Sequence, residues 1–388
     1  MPQRHSPREM LAQLVSISTV SRDSNLPLIA FVEDYLAGHG VAAHRVPNAD
    51  GTKTNLWATL GPAAPGGVVL SGHTDVVPVD GQPWTSDPFR LTERDGRLHG
   101  RGAADMKGFL AITLSLVPEM LSAGLRRPVH LAMSYDEEIG CLGAPSMIRQ
   151  MRERIPPPEA VIVGEPTMMQ VVTGHKGTVG LNTHVRGYEV HSGLVHTGVP
   201  AVMVAARLVT WIADRMEQTR RAAAEKPGEA LYEPPYTTLH CGMIEGGTAH
   251  NITAKDCRFS TDIRYLPHES GEAYVAEYRE VAARLERETR AVRPEAFIDI
   301  AERSHAPGCQ READGAAERL ARSLTGDNGE HVVAYGTEAG HFQAQAFYTV
   351  VCGPGDIAQA HAADEYITLA QLAAGEAFQR RLIAHLAA

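Results

Sequence analysis

The sequence predicts an α/β protein into which a smaller α+β domain is inserted. Three observations carry this prediction. Short, mainly apolar runs at Val68 to Ser71, Val129 to Ser134 and Ala160 to Val163 alternate with stretches of helical periodicity. Such runs suit strands buried on both faces of a mainly parallel sheet, with helices covering each side. The middle of the chain reads strand–helix–strand–strand–helix–strand, the order of a ferredoxin-like sandwich. After it, a helical stretch and an apolar strand resume the earlier style, so the first and last parts belong together.

In order, Leu11 to Ser18 reads as a helix, and Leu28 to Ala37 as a second, led in by Pro27 and stopped by Gly38. Asn55 to Gly61 and Val68 to Ser71 are strands. Met106 to Leu121 is a helix before the strand Val129 to Ser134, and the breaker Pro156-Pro157-Pro158 precedes the strand Ala160 to Val163. The inserted part begins with a strand at Thr178 to Val185 and a helix from about Pro200 to Glu217. A polar stretch, Thr219 to Pro235, reads as a surface loop. Alternating strands follow at Thr237 to Ile244 and Cys257 to Tyr265, then a helix from about Glu272 to Arg290 and a strand from Phe297 to Ala301. Helical Glu312 to Leu324 and the strand Phe347 to Val351 complete the pattern. No internal repeat is visible.

Composition narrows the function classes. The 388 residues suggest two or three domains at roughly 150 residues each. Hydrophobic residues at 44% and charged residues at 21% exclude a disordered or fibrous chain. A net charge of -10, with no Lys/Arg tract, makes nucleic acid and anionic membranes poor partners. Five irregularly spaced Cys argue against a disulfide framework and for free thiols in a reducing compartment. Met1 to Ser18 lacks the apolar stretch of a secretory signal, and no apolar run approaches the ~18 residues of a spanning helix. A cytoplasmic protein is expected. The 18 His are an unusual surplus that fits metal or proton chemistry, or surface drift.

Several strand ends carry polar groups of one kind. His73 and Asp75 lie two apart at the end of a buried strand, so they share a face at the edge where open α/β sheets bind ligands. They read as a metal ligand with its orienting carboxylate, or as a loop His and a turn-capping Asp. Asp105, in Gly100-Arg-Gly-Ala-Ala-Asp105, stands where a Gly-rich turn enters a helix, so a capping role competes with a site role. Asp136-Glu137-Glu138 follows the next buried strand. It is either a solvated acidic turn or one metal ligand beside one free base. Glu165 follows the third. Three successive buried strands thus end in carboxylates, one also in His. Oxygen and imidazole donors without thiolate suit Zn, Co or Mn in a hydrolytic site, and so many carboxylates suggest two ions.

The runs SGHTDVVPVDGQPWTSDPF, GRGAADMKG, DEEIG and GEPT resemble the M20 family of metallopeptidases and amidohydrolases. VVTGHKGTVG, PYTTLHCGMIEGGTAHNI, TEAGHFQ and VVCGPGDIAQAHAADEYI extend the resemblance over nearly the whole chain. It implies a zinc-peptidase-like three-layer catalytic domain, residues 1–177 and 306–388. The inserted ferredoxin-like βαββαβ domain, 178–305, would serve dimerisation and act as a lid. It also implies two divalent ions, Zn2+ (or Co2+), with Asp105 bridging them. His73 and Glu165 would complete one ion, and Glu138 and His361 the other. Asp75 would orient His73, Glu137 would be the general base, and a cis peptide would follow Asp105. His191 and Asn251 would act on the partner subunit's site in a homodimer, and Arg264 would bind a carboxylate. Where desuccinylase relatives carry a second Arg, this chain has His175-Lys176. Lys176, Thr337 and Glu338 are the remaining expected substrate contacts, with Glu338 the first candidate for a substrate ammonium.

The activity implied is hydrolysis of an N-acyl amino acid, N2-acetyl-L-ornithine first. Acetylcitrulline, succinyl-diaminopimelate, other acylated amino acids and dipeptides are the alternatives within the class. A non-catalytic metal-binding homologue is the alternative outside it, and a competent residue at the base and at every ligand position argues against that reading.

Overall fold

The computed structural model describes residues 4–225, 231–312 and 315–388. Its chain forms two compact units. One comprises Met1–Gly174, Cys309–Val332 and Thr337–Ala388, and the other His175–Gly308 and Val333–Gly336. The expected divisions after 177 and 305 lie three residues from these. The short return at Val333–Gly336 was not foreseen.

The larger unit is built on an eight-stranded sheet. Its order is Ala43–Pro47, Thr54–Leu60, Val129–Ser134, Val68–His73, Ala160–Val163, Thr349–Val351, Val172–His175, His331–Val333. Val68–His73 pairs in parallel with Val129–Ser134 on one side and Ala160–Val163 on the other. All three are buried throughout, which explains their mainly apolar sequence, with Ser71, His73, His130 and Ser134 as buried polar exceptions.

Alternation along each strand divides the core in two. Leu56, Val68, Leu70, Leu131, Met133 and Ile162 join one cluster with Leu14 and Leu36 near the start of the chain, Phe109 and Ile112 of helix Lys107–Ser115, and Phe378 and Leu382 of helix Leu369–Ala387. Residues between them point to the opposite side. There the Trp57 indole N–H donates to Gln150 Oε1 at 2.7 Å, anchoring helix Ala144–Arg154. Helices therefore cover both faces, and the unit has three layers.

Two departures have local causes. The predicted helix Met106 to Leu121 is two helices, Lys107–Ser115 and Val117–Ser122. Pro118 cannot donate a main-chain hydrogen bond, so it fits the first turn of a new helix better than the interior of an old one. Helices Ala144–Arg154 and Leu369–Ala387 were not foreseen. Both bury residues at three- and four-residue spacing, Met147, Ile148 and Met151 in one and Phe378, Leu382 and Leu386 in the other.

The smaller unit has a four-stranded antiparallel sheet in the order Thr238–Gly246, Asp256–Tyr265, Gly177–Arg186, Phe297–Ala306. With helices Ala201–Glu225 and Gly271–Arg290, this is the ferredoxin-like arrangement. Cys257, Phe259, Ile263 and Tyr265 alternate inward from one strand, and pack in a common core with Leu208, Ile212 and Tyr278 of the helices.

The first helix runs beyond Glu217 into the stretch expected to be a loop. Arg220 and Arg221 both pair with Glu217, and the Thr219 hydroxyl donates to the Thr237 carbonyl at 2.6 Å. Residues 222–224 are Ala, the strongest helix former. The rest of that expected loop includes 226–230, which lie outside the described residues. All five Cys are free. Among the described residues, no helix is long and apolar enough to cross a membrane.

Candidate active site

The three central parallel strands end at one edge of the large sheet, and their following residues deliver the polar groups. His73 closes its strand, Glu137 and Glu138 follow Val129–Ser134, and Glu165 follows Ala160–Val163. Asp105 comes from the turn before helix Lys107–Ser115, and its peptide bond to Met106 is cis. His361 enters from the loop after the short turn Ile357–Gln359.

Asp105 faces both histidines. Its Oδ1 lies 3.0 Å from His73 Nε2, and its Oδ2 lies 3.4 Å from His361 Nε2. Glu165 Oε1 is 3.7 Å from His73 Nε2, and Glu138 Oε2 is 2.9 Å from His361 Nε2. Donor atoms of His73, Glu137 and Glu165 all lie within 4.8 Å of one another, as do those of His73, Asp105 and Glu138. Spacing in the sequence alone could not have selected His361 from among 18 His.

The role expected of Asp75 needs correction. His73 Nδ1 bonds the main-chain oxygen of Asp75 at 2.9 Å, while the Asp75 carboxylate stands 3.7 Å away. That carboxylate is already engaged. It accepts the Glu137 amide at 3.1 Å, the Glu138 amide at 3.3 Å and the Ser21 hydroxyl at 2.7 Å. Asp75 thus orients the imidazole through its backbone, and its side chain holds the Glu137-Glu138 turn. The Nδ1–H tautomer leaves the Nε2 lone pair aimed at the cluster. The Cys141 thiol donates to Glu137 Oε1 at 3.3 Å.

Electrostatics and hydrogen bonding both fit a cation. Glu165 Oε1 is buried with no hydrogen-bond partner, a costly state for a carboxylate oxygen in an uncharged setting. Burial, reinforced by Glu138 and Asp105 against the pull of His73, pushes Glu137 up to about 8. Burial and Asp105 likewise push Glu138 up to about 7. Hydrogen bonds to Asp105 and Glu138 carry His361 up to about 10. These carboxylates resist simultaneous ionisation unless positive charge is added among them. The donors are imidazole nitrogen and carboxylate oxygen, which suit a divalent ion of the zinc or cobalt type.

Three expected substrate contacts are closed to a ligand. Glu338 is fully buried, and its two oxygens accept from Ser71 Oγ at 2.5 Å and Ser134 Oγ at 2.6 Å. Thr337 is buried, and its hydroxyl accepts the Ala339 amide at 3.0 Å. Lys176 is buried, and its ammonium donates to the carbonyls of Pro234 at 2.8 Å and Tyr236 at 2.6 Å. Buried charged and polar groups need internal partners, and these have taken them. In the smaller unit, His191 and Asn251 are exposed neighbours: Ser192 N donates to the Asn251 carbonyl, and the Gly193 amide donates to His191 Nδ1 at 3.1 Å. Arg264 is partly exposed and pairs with Asp262 at 2.8 Å. Sequence reasoning passed over Glu365, whose buried carboxylate receives four donors from the Asp105 loop.

The model of the peptidase family M20/M25/M40 matches residues 69–385. The chain belongs to the M20 family. It is 33% identical over 383 residues to an acetylornithine deacetylase of Myxococcus xanthus, covering 97% of both chains. Among solved structures it is similar to an M20 metallo-carboxypeptidase of Sulfolobus solfataricus, with a TM-score of 0.79, 17% identity and 99% of each chain covered. It also resembles a dinuclear metal-binding M20 peptidase of Bacillus subtilis, with a TM-score of 0.63, 14% identity and coverage of 98% and 97%. As a member of the M20 family, the chain is a metal-dependent hydrolase acting on amides.

Proposed function

We propose that this M20 hydrolase removes the acetyl group of N2-acetyl-L-ornithine, releasing L-ornithine and acetate. The observation that carries the chemistry is Asp105, whose two oxygens are divided between His73 and His361. That division suits a bridging ligand, with Glu165 on the His73 side and Glu138 on the His361 side. The choice of substrate is supported by the relative named acetylornithine deacetylase, which is matched over 97% of both chains.

Two Zn2+ or Co2+ ions held there would supply the positive charge that acidifies water and polarises an amide carbonyl. Glu137 takes the proton of the attacking water and returns it to the departing amine, and the anchored turn keeps its carboxylate in place. His191 accepts the Gly193 amide at Nδ1, so its Nε2–H is free to donate to the carbonyl oxygen as charge builds there. In this proposal it acts on the site of a second copy of the chain, with Asn251 beside it, so the working protein is a homodimer. Arg264 binds the α-carboxylate, for which a planar guanidinium is suited.

The burial of Glu338 favours one second reading. With its oxygens closed off, the acid first assigned to the ornithine ammonium is gone, which suits a hydrolase of broader N-acyl amino acid range. Rates of acid release from acetylornithine, acetylcitrulline, acetylmethionine and succinyl-diaminopimelate decide between them. A kcat/KM at least about tenfold higher for acetylornithine, a difference of roughly 1.4 kcal/mol, supports the first reading. Equal values across the acetylated substrates support the second.

A further inference from the structure

Glu365 is 1% exposed and lies four residues beyond His361. One of its oxygens accepts the amides of Ala104 at 2.9 Å and Asp105 at 3.1 Å. The other accepts the Gly102 amide at 2.9 Å and Arg101 Nη1 at 2.8 Å. A single carboxylate therefore gathers the turn whose last residue is Asp105. Gly102 has φ +78°, a region natural to glycine, and that bend helps the amides converge on one anion.

Arg101 extends the connection toward the other histidine. It is also 1% exposed, donates to the carbonyl of Ala362 at 3.2 Å, and bonds Gln82 Oε1. Gln82 in turn donates from Nε2 to the carbonyl of His361 at 2.8 Å. The backbones of both residues that flank the shared site are thus tied into one network, buried at Glu365 and Arg101 and reaching the surface at Gln82. The carboxylate is fully paired within it, which makes its burial tolerable.

We propose that Glu365 is a positioning residue, which presets the Asp105 and His361 loops relative to each other so that both ions can be held. This rests on the reading of Asp105 and His361 as metal ligands. Gln at 365 would turn an amide N–H₂ toward donors on one side, and Asp would be too short to reach both groups of donors.

The test is calorimetric titration of Zn2+ and Co2+ into the metal-free full chain, its Glu365→Gln variant and its Glu365→Asp variant, with circular dichroism reporting the fold. The wild type should bind two ions. The folded variants should lose about 10- to 100-fold in affinity for at least one, as outer groups orienting metal ligands generally do. The visible bands of bound cobalt should also shift, because its ligand geometry changes, which a loss of stability alone would not cause. A folded variant binding both ions with wild-type affinity and unchanged bands overturns the proposal. A wild type that binds no ion overturns the ligand reading instead. Hydrogen exchange on the metal-free wild type provides a check that needs no variant. The amides of Gly102, Ala104 and Asp105 should be protected, and exchange at the rate of an open loop would overturn the proposal even if neither variant folds.

Discussion

At the scale of single residues, the sequence showed which polar groups end buried strands but not which of them have partners. His73, Glu138 and Glu165 stood out because strand ends on one sheet edge must converge, whereas Asp105 lies in a Gly-rich turn that reads equally well as a helix cap. His361 depended on resemblance, since nothing in its local spacing marks it. Glu338, Thr337 and Lys176 were misread for a common reason: hydrogen-bond partners distant in sequence had already enclosed them. Ser71 and Ser134 lie 267 and 204 residues from Glu338. A prediction follows from that enclosure. Glu338→Gln should lower Tm, because a hydroxyl loses its acceptor, yet leave the kcat/KM ratio of acetylornithine to acetylmethionine unchanged within about twofold. A selective loss on acetylornithine would restore Glu338 as the ammonium partner.

At the scale of elements, apolar runs located the central strands closely, because burial on both faces favours apolar residues and admits polar ones only where they find a partner, as His130, Ser71 and Ser134 do. Helix ends were less legible. The helix after residue 217 continues on ion pairs and Ala where polarity suggested a loop, and Pro118 starts a second helix where periodicity suggested one. Close approach between elements is also invisible in a sequence. A Cβ at Gly164, just before Glu165, would lie 2.2–2.3 Å from three ring carbons of Phe109 in helix Lys107–Ser115. Gly164→Ala should therefore cost about 1–3 kcal/mol, as overpacking does, with weaker metal binding as Glu165 is displaced. Urea unfolding and metal titration check this. A variant with wild-type midpoint and metal affinity would show that the helix yields freely.

At the scale of the whole molecule, the two-part organisation was legible because the order of element types changes between the parts. The net charge of -10 was legible too, but not how much of it is buried. Burial also acts on neutral groups that charge in acid. His130 is wholly buried, its Nδ1 pairs with Thr59 Oγ1 at 2.9 Å, and burial holds it down at about 4. Its folded-state value lies below the usual 6.5, so the unfolded chain binds the extra proton first. Its contribution is intact above about pH 6.5 and is lost as pH falls toward 4, by about 3 kcal/mol in full. His130→Leu should show a shallower fall in stability than the wild type between pH 6.5 and 4.5. Parallel curves would mean that His130 is not buried neutral.

The central claim is that five residues hold two ions while Glu137 moves the proton. Its most direct test joins metal analysis of Glu137→Gln with its rate of acetate release from N2-acetyl-L-ornithine. Two ions per chain retained, with kcat reduced by about 10²–10⁴-fold, is the predicted result. Near-normal kcat, or loss of an ion with the substitution, would contradict it, the first by removing the base and the second by making Glu137 a ligand.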